Sequence, residues 1–348
     1  MSFPVRHTLA LLLCCLALVA AAAEEDASNH RPVTTVADQR LSVQTAAGQG
    51  LLALYADPAQ PAADTDRVVI VIHGRLRDAD VYFKSAQAAR AAAGDVGRHT
   101  QLLVPQFLAD RDASAYKLAP EVLRWSLTGW MGGEPAHAPA AIASYEALDA
   151  LLASLADKQR YPKLKQVVIA GHSGGAQVVQ RYAVVGQGEA VLAKQGIKLR
   201  YVVANPSSYL YFSADRPDGQ GGYKPFNVAG CGDFNLWKYG WEDAPAYARQ
   251  LSPADYEQRY AARDVVYLLG TADTNPNHPA LDKTCAAEAQ GPYRYARGQA
   301  YARYVAQRNP ASRQPLYPVP GVGHDGDRML TSTCGLAALF DAGRCQAQ

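Results

Sequence analysis

The chain has 348 residues, of which 49% are hydrophobic and 19% charged, enough apolar material to bury a substantial core in one large α/β domain or two smaller ones. Its formal net charge of +2 gives no global electrostatic reason to expect nucleic acid or an anionic membrane as a partner. No internal repeat and no long low-complexity tract interrupts it.

At the N-terminus, Arg6 and His7 precede an apolar run from Leu9 to Val19, then Ala20 to Ala23 and the acidic Glu24-Glu25-Asp26. A basic start, a short apolar core and small residues before an acidic stretch predict a secretory signal peptide over residues 1–23. The run is too short for a membrane span, so none is expected once the signal is removed. Residues 24–40 read as a flexible polar leader and 41–348 as the folded domain, in a secreted or periplasmic protein. Of six cysteines, Cys14 and Cys15 fall in the signal, leaving Cys231, Cys285, Cys334 and Cys345. An even number in an exported chain predicts two disulfides.

Leu41-Ser42-Val43-Gln44-Thr45 alternates and Leu51 to Tyr55 is apolar, with Gly48 and Gly50 between them, which predicts a hairpin. Arg67 to Ile72 is a continuous apolar strand of the kind buried on both faces of a parallel sheet, and it runs into His73-Gly74-Arg75. A helix is expected over Ala79–Ala93 and a strand over Thr100–Pro105. Residues 106–138 read as a long loop over one end of the sheet. From Ala140 to Ala156, Ile142, Tyr145, Leu148, Leu151, Leu152 and Leu155 share one helix face.

The strand Gln166–Ala170 leads into Gly171-His172-Ser173-Gly174-Gly175, and a helix follows with Val178, Val179, Tyr182 and Ala183 at helix-face spacing. Strand, G-x-S-x-G, helix is the nucleophile elbow, whose small residues let the serine project from a tight turn. The pentapeptide alone is a weak signal, because a Gly-rich strand-to-helix turn also builds phosphate loops. The buried strand before it and the helix after it sharpen the reading. Leu199–Ala204 is the next strand, ending at Asn205. Residues 206–250, aromatic and Gly-rich, read as a cap in which Tyr209 and Trp237 are candidate substrate-binding residues, although such rings also serve simply to pack a cap. Strands near Asp264–Leu269 and Gln314–Val319 and helices near Tyr295–Gln307 and Gly335–Asp341 complete the chain. Strand alternating with helix predicts a mainly parallel sheet with helices on both faces.

A serine nucleophile needs a base, and the base needs an orienting group. In an open parallel sheet these lie at the carboxyl ends of strands. His324 follows the last strand among glycines, and Asp273 follows the strand before it. Asp264 lies at the wrong end of its strand, and Asp325 points away if His324 points in. Asp282 and Glu288 are lesser candidates. Asn205 sits at a strand end but carries no charge. The N–H groups of Gly174 and Arg75 are the expected oxyanion donors. The Arg75 side chain is expected to salt-bridge Asp78 or Asp80, the alternative being contact with a substrate carboxylate. With an ordinary histidine as base, the rate is expected to fall as pH drops through 6–7.

The order Ser173, Asp273, His324, with the His-Gly turn and the elbow ahead of it, resembles the α/β-hydrolase superfamily from about residue 40 to the C-terminus. The resemblance implies the α/β-hydrolase fold, a mostly parallel eight-stranded sheet with a cap insertion. It also implies cleavage of a small-molecule or polymeric ester through an acyl-enzyme, with no metal or cofactor. A peptidase or amidase on the same fold, or a non-catalytic binding protein, are the rival readings. The turn here reads His-Gly-Arg-Leu where many esterases carry His-Gly-Gly-Gly. With the cap and the acid loop meeting near the active-site end, Cys231–Cys285 and Cys334–Cys345 are the expected pairs, and Cys285–Cys334 with Cys231–Cys345 is the rival pairing.

Overall fold

The computed structural model describes residues 29–347, so the expected signal peptide, with Cys14 and Cys15, lies outside the described residues. Eight strands form the main sheet: β1 (Gln39–Thr45), β2 (Gly48–Asp57), β3 (Arg67–Ile72), β4 (Thr100–Gln106), β5 (Gln166–His172), β6 (Lys198–Ala204), β9 (Asp264–Gly270) and β10 (Leu316–Val319). Two short strands, β7 (Asp215–Pro217) and β8 (Tyr223–Pro225), pair as a separate ribbon. The order across the sheet is β1-β2-β4-β3-β5-β6-β9-β10. In the main sheet β2 runs antiparallel to β1 and β4 and the remaining pairings are parallel, while β7 and β8 pair antiparallel.

The period of two along each strand divides the core. Val68, Ile70 and Ile72 of β3 and Val167 and Ile169 of β5 face one side, where Leu148, Leu151, Leu152, Val178, Tyr182 and Tyr301 meet them. Val69 and Val71, Val168 and Ala170 face the other, against Ala86, Ala89, Met329, Leu330, Leu339 and Phe340. The first side is covered by the helices Ser144–Leu155, Gly174–Val185, Pro253–Ala262 and Arg294–Arg308, the second by Ala79–Ala92, Gly326–Thr331 and Thr333–Phe340. Burial on both faces explains the unbroken apolar runs of the central strands.

The part of the expected leader that the structure describes is not loose. Residues 29–38 lie along the domain, bound to a buried ion pair in which the Arg77 Nε donates to the Asp112 Oδ2 at 2.7 Å. The same guanidinium donates to the carbonyls of Asn29 and Arg31, and the Asp112 Oδ1 accepts the Val33 N–H at 2.9 Å. The polar composition that suggested mobility hides this, because the main chain of the segment makes these contacts.

Cys231 is bonded to Cys285, and Cys334 to Cys345. Among the described residues no helix is long and apolar enough to cross a membrane.

Candidate active site

β5 ends at His172 and the next helix begins at Gly174, so Ser173 alone makes the turn, with φ 57° and ψ −119°. That conformation is costly for a residue with a Cβ and survives because the surroundings dictate it. A Cβ on Gly175 would lie 2.1 Å from the Ile72 carbonyl oxygen, and one on Gly171 2.3 Å from the Gly175 carbonyl. The elbow is therefore pressed against β3 with no room for a side chain at either glycine.

β9 and β10 are parallel neighbours, so the turns that leave them emerge side by side. The Thr271 N–H donates to Val319 and the Ala272 N–H to Val322, both at 3.0 Å. Asn205, at the end of β6, ties both turns: its Oδ1 accepts the Gly270 N–H at 2.9 Å and its Nδ2 donates to the Gly323 carbonyl at 3.2 Å. This knitting brings the three candidate groups together. His324 Nε2 lies 2.9 Å from the Ser173 Oγ, and its Nδ1 lies 2.8 Å from the Asp273 Oδ2.

Asp273 is engaged on its other oxygen too. The fully buried Arg294 NH1 approaches Oδ1 at 3.3 Å, and its Nε donates to the Ser207 Oγ at 2.9 Å. Burial pushes the Asp273 carboxyl up, but the hydrogen bond and charge of His324 and the charge of Arg294 more than offset it, leaving the acid below its ordinary value. For His324 burial dominates and takes the pKa down to about 4; the Asp273 hydrogen bond works against this, and the charge of Arg294 works with it. The imidazole is packed between two others, with the ring of His172 centred 4.6 Å away and that of His278 5.1 Å away. A neutral imidazole bonded to a hydroxyl on one side and a carboxylate on the other can accept the hydroxyl's proton and be stabilised as it does so.

A cleft of about 170 Å³ opens at Ser173, lined by Arg75, Met131, Gly174, Gln177, Ser207, Lys238 and the segment from Pro279 to Asp282 among others. The Arg75 backbone nitrogen would lie 2.9 Å from a Cβ on Gly174, so these two main-chain segments adjoin beside the serine. His73, at the end of β3, is a structural residue. Its Nε2 accepts the Phe107 N–H at 3.0 Å, its Nδ1 lies 2.8 Å from the Gly74 carbonyl, and burial takes its pKa down to about 4.

The two aromatic candidates for substrate contact do not line this cleft. Tyr209 is fully buried and stacks on Tyr301 at 4.5 Å, with its backbone N–H and carbonyl both bonded to the Gln290 amide. After Asn205 the chain dives against the helix Arg294–Arg308 before it reaches the ribbon, which takes Tyr209 into the core. The Trp237 indole N–H donates to the Gly132 carbonyl at 2.7 Å and its ring packs on Trp241, while the next residue, Lys238, reaches the cleft. Arg294, Gln177 and Lys238 escape sequence reasoning because no motif surrounds them. Asn205 was visible as the polar end of a strand, but its work as a tie between two loops was not.

No family model matches the chain, and no curated protein matches it. Solved structures do. The chain is similar to the poly(3-hydroxybutyrate) depolymerase of Bordetella parapertussis, with a TM-score of 0.58 and 24% identity over 88% of this chain and 91% of that one. It is also similar to poly(aspartic acid) hydrolase-1 of Sphingomonas sp. KT-1, with a TM-score of 0.55 and 23% identity over 86% of this chain and 96% of the other.

Proposed function

We propose that this chain, an α/β-hydrolase by fold, is an exported serine hydrolase that cleaves carboxylic esters through an acyl-enzyme. The observation that carries the reading is the relay from Ser173 through His324 to Asp273, with both hydrogen bonds under 3 Å. As the Ser173 Oγ attacks the ester carbonyl, His324 Nε2 takes its proton and Asp273 steadies the imidazolium. The N–H groups of Gly174 and Arg75 receive the developing oxyanion, helped by the positive end of the elbow helix. Collapse breaks the bond to the alcohol, which leaves with the proton from His324. Water, activated by the same imidazole, then attacks the acyl-serine and restores the hydroxyl.

Export is supported by the N-terminal signal pattern and by two disulfides, which persist in oxidising compartments. N-terminal sequencing of the exported protein is expected to start near Glu24.

Ser173→Ala and His324→Ala are each expected to lower turnover of a 4-nitrophenyl ester by roughly three or more orders of magnitude, and Asp273→Asn by somewhat less. Near-wild-type rates in Ser173→Ala would remove the reading. Faster cleavage of peptide anilides than of esters would move it to a peptidase with the same groups.

A further inference from the structure

Most polar side chains around the cleft are already occupied. The Gln177 Oε1 accepts from Arg181 and Ser208, and Ser207 accepts from Arg294. The Asp282 carboxylate takes the Tyr239 hydroxyl on one oxygen at 2.7 Å and the Thr284 hydroxyl on the other at 2.8 Å. Lys238 is different: among the described residues it makes no ion pair, although it lines the cleft beside the serine. Next to it lies a second cation. The fully buried Arg181 donates to the Lys238, Met131, Gln177 and Ser208 oxygens at 3.0–3.2 Å, all of them neutral acceptors. Two cations side by side, one wholly buried and one at the cleft wall, face neutral dipoles, the Asp282 carboxylate that two hydroxyls have engaged, the exposed Glu134 and, for Lys238, the Tyr239 ring with its centroid 6.0 Å from the Nζ. Positive charge drawn out of water with no carboxylate bound directly to it is unfavourable, and a carboxylate entering the cleft offsets that cost.

We infer that the cleft selects esters whose acyl chain ends in a carboxylate, received by Lys238 with Arg181 behind it; this rests on the serine-hydrolase reading above. Burial and then the charge of Arg181 bring the Lys238 pKa down to about 8, while Asp282 and the exposed Glu134 work the other way. The ammonium is thus charged at neutral pH and lost in mild alkali.

The test compares 4-nitrophenyl hydrogen adipate with its methyl-capped diester, a pair long enough that the free carboxylate does not readily attack its own ester. At pH 7 the wild-type kcat/KM is expected to favour the carboxylate by about tenfold, the scale of one charge-assisted hydrogen bond. Lys238→Met is expected to abolish most of that ratio, and Lys238→Arg, which keeps the charge, to restore part of it. The unmutated enzyme gives an independent reading: the ratio should fall as pH rises through about 8. Arg181 stays charged there, as a guanidinium does in proteins, although burial lowers its pKa from the ordinary value. The Tyr239 hydroxyl, pushed up by burial, does not titrate in that range. A wild-type ratio near one, a ratio that survives Lys238→Met, or a ratio flat from pH 6.5 to 9.5 overturns the inference and leaves the ester-hydrolase reading standing. Failure to cleave either ester while a fluorophosphonate still labels Ser173 also counts against the carboxylate preference. Failure to cleave with no labelling removes the functional reading itself.

Discussion

The imidazole of His324 is pulled two ways. Asp273 favours the imidazolium, while burial under neighbouring rings and the charge of Arg294 oppose it, and the balance is a pKa of about 4. A base works in its neutral form, so the rate is expected to hold from pH 8 down to 5 and to fall only as pH drops through about 4. An ordinary histidine would instead give a fall at pH 6–7; the difference lies in how deeply the ring is packed, of which the sequence says nothing. Arg294 then becomes a positioning residue with a readable signature. Arg294→Met removes a positive charge from beside the acid, so the His324 pKa should rise and the acid limb of the kcat/KM profile should move to higher pH. Arg294→Lys should move it part of the way back. An unmoved limb in Arg294→Met would mean that the guanidinium only packs.

At the scale of the element, the elbow depends on how closely a strand and a helix approach each other. Gly175→Ala places a methyl 2.1 Å from the Ile72 carbonyl, which the backbone of β3 must give way to accept. Overpacking of this kind costs about 1–3 kcal/mol, and more where backbone must move. The variant is expected to melt at lower denaturant and to lose activity, and a wild-type urea midpoint would show that the turn has slack. The same closeness made the elbow legible, because it requires glycines on both sides of a serine set between a buried strand and a helix. The central strands were legible because burial on both faces makes them continuous apolar runs. The helix Pro253–Ala262 was not, although Ser252 caps it through the Asp255 N–H and Pro253 opens it, because its face is made of Tyr256 and Tyr260 in an otherwise polar stretch. The ribbon of β7 and β8 has strands too short for a period to register. The cleft was illegible for another reason: its wall is assembled from Arg75, Met131, Ser207, Lys238 and Leu281, far apart in the chain.

Over the whole molecule, the N-terminal segment is part of the fold. Asp112 is fully buried and holds Arg77, the Val33 N–H and the Ala109 N–H at once. Asp112→Ala leaves the guanidinium buried without a counter-charge, and a loss of about 3–5 kcal/mol is expected in urea unfolding. A loss under about 1 kcal/mol would mean that the segment is dispensable to stability. The bridge from Cys231 to Cys285 carries a different consequence. It closes a stretch of chain with a sequence separation of 54 that contains β9, Asp273 and the exposed residues 249–252, where Leu251 is 42% accessible. A protease that cuts once at those exposed residues yields two pieces still covalently joined, with the nucleophile on one and the acid and base on the other. The nicked protein should run as a single band without reductant and as two bands with it. Because the sheet holds both halves in register, it should keep hydrolysing ester until the bridge is reduced and the halves are free to part.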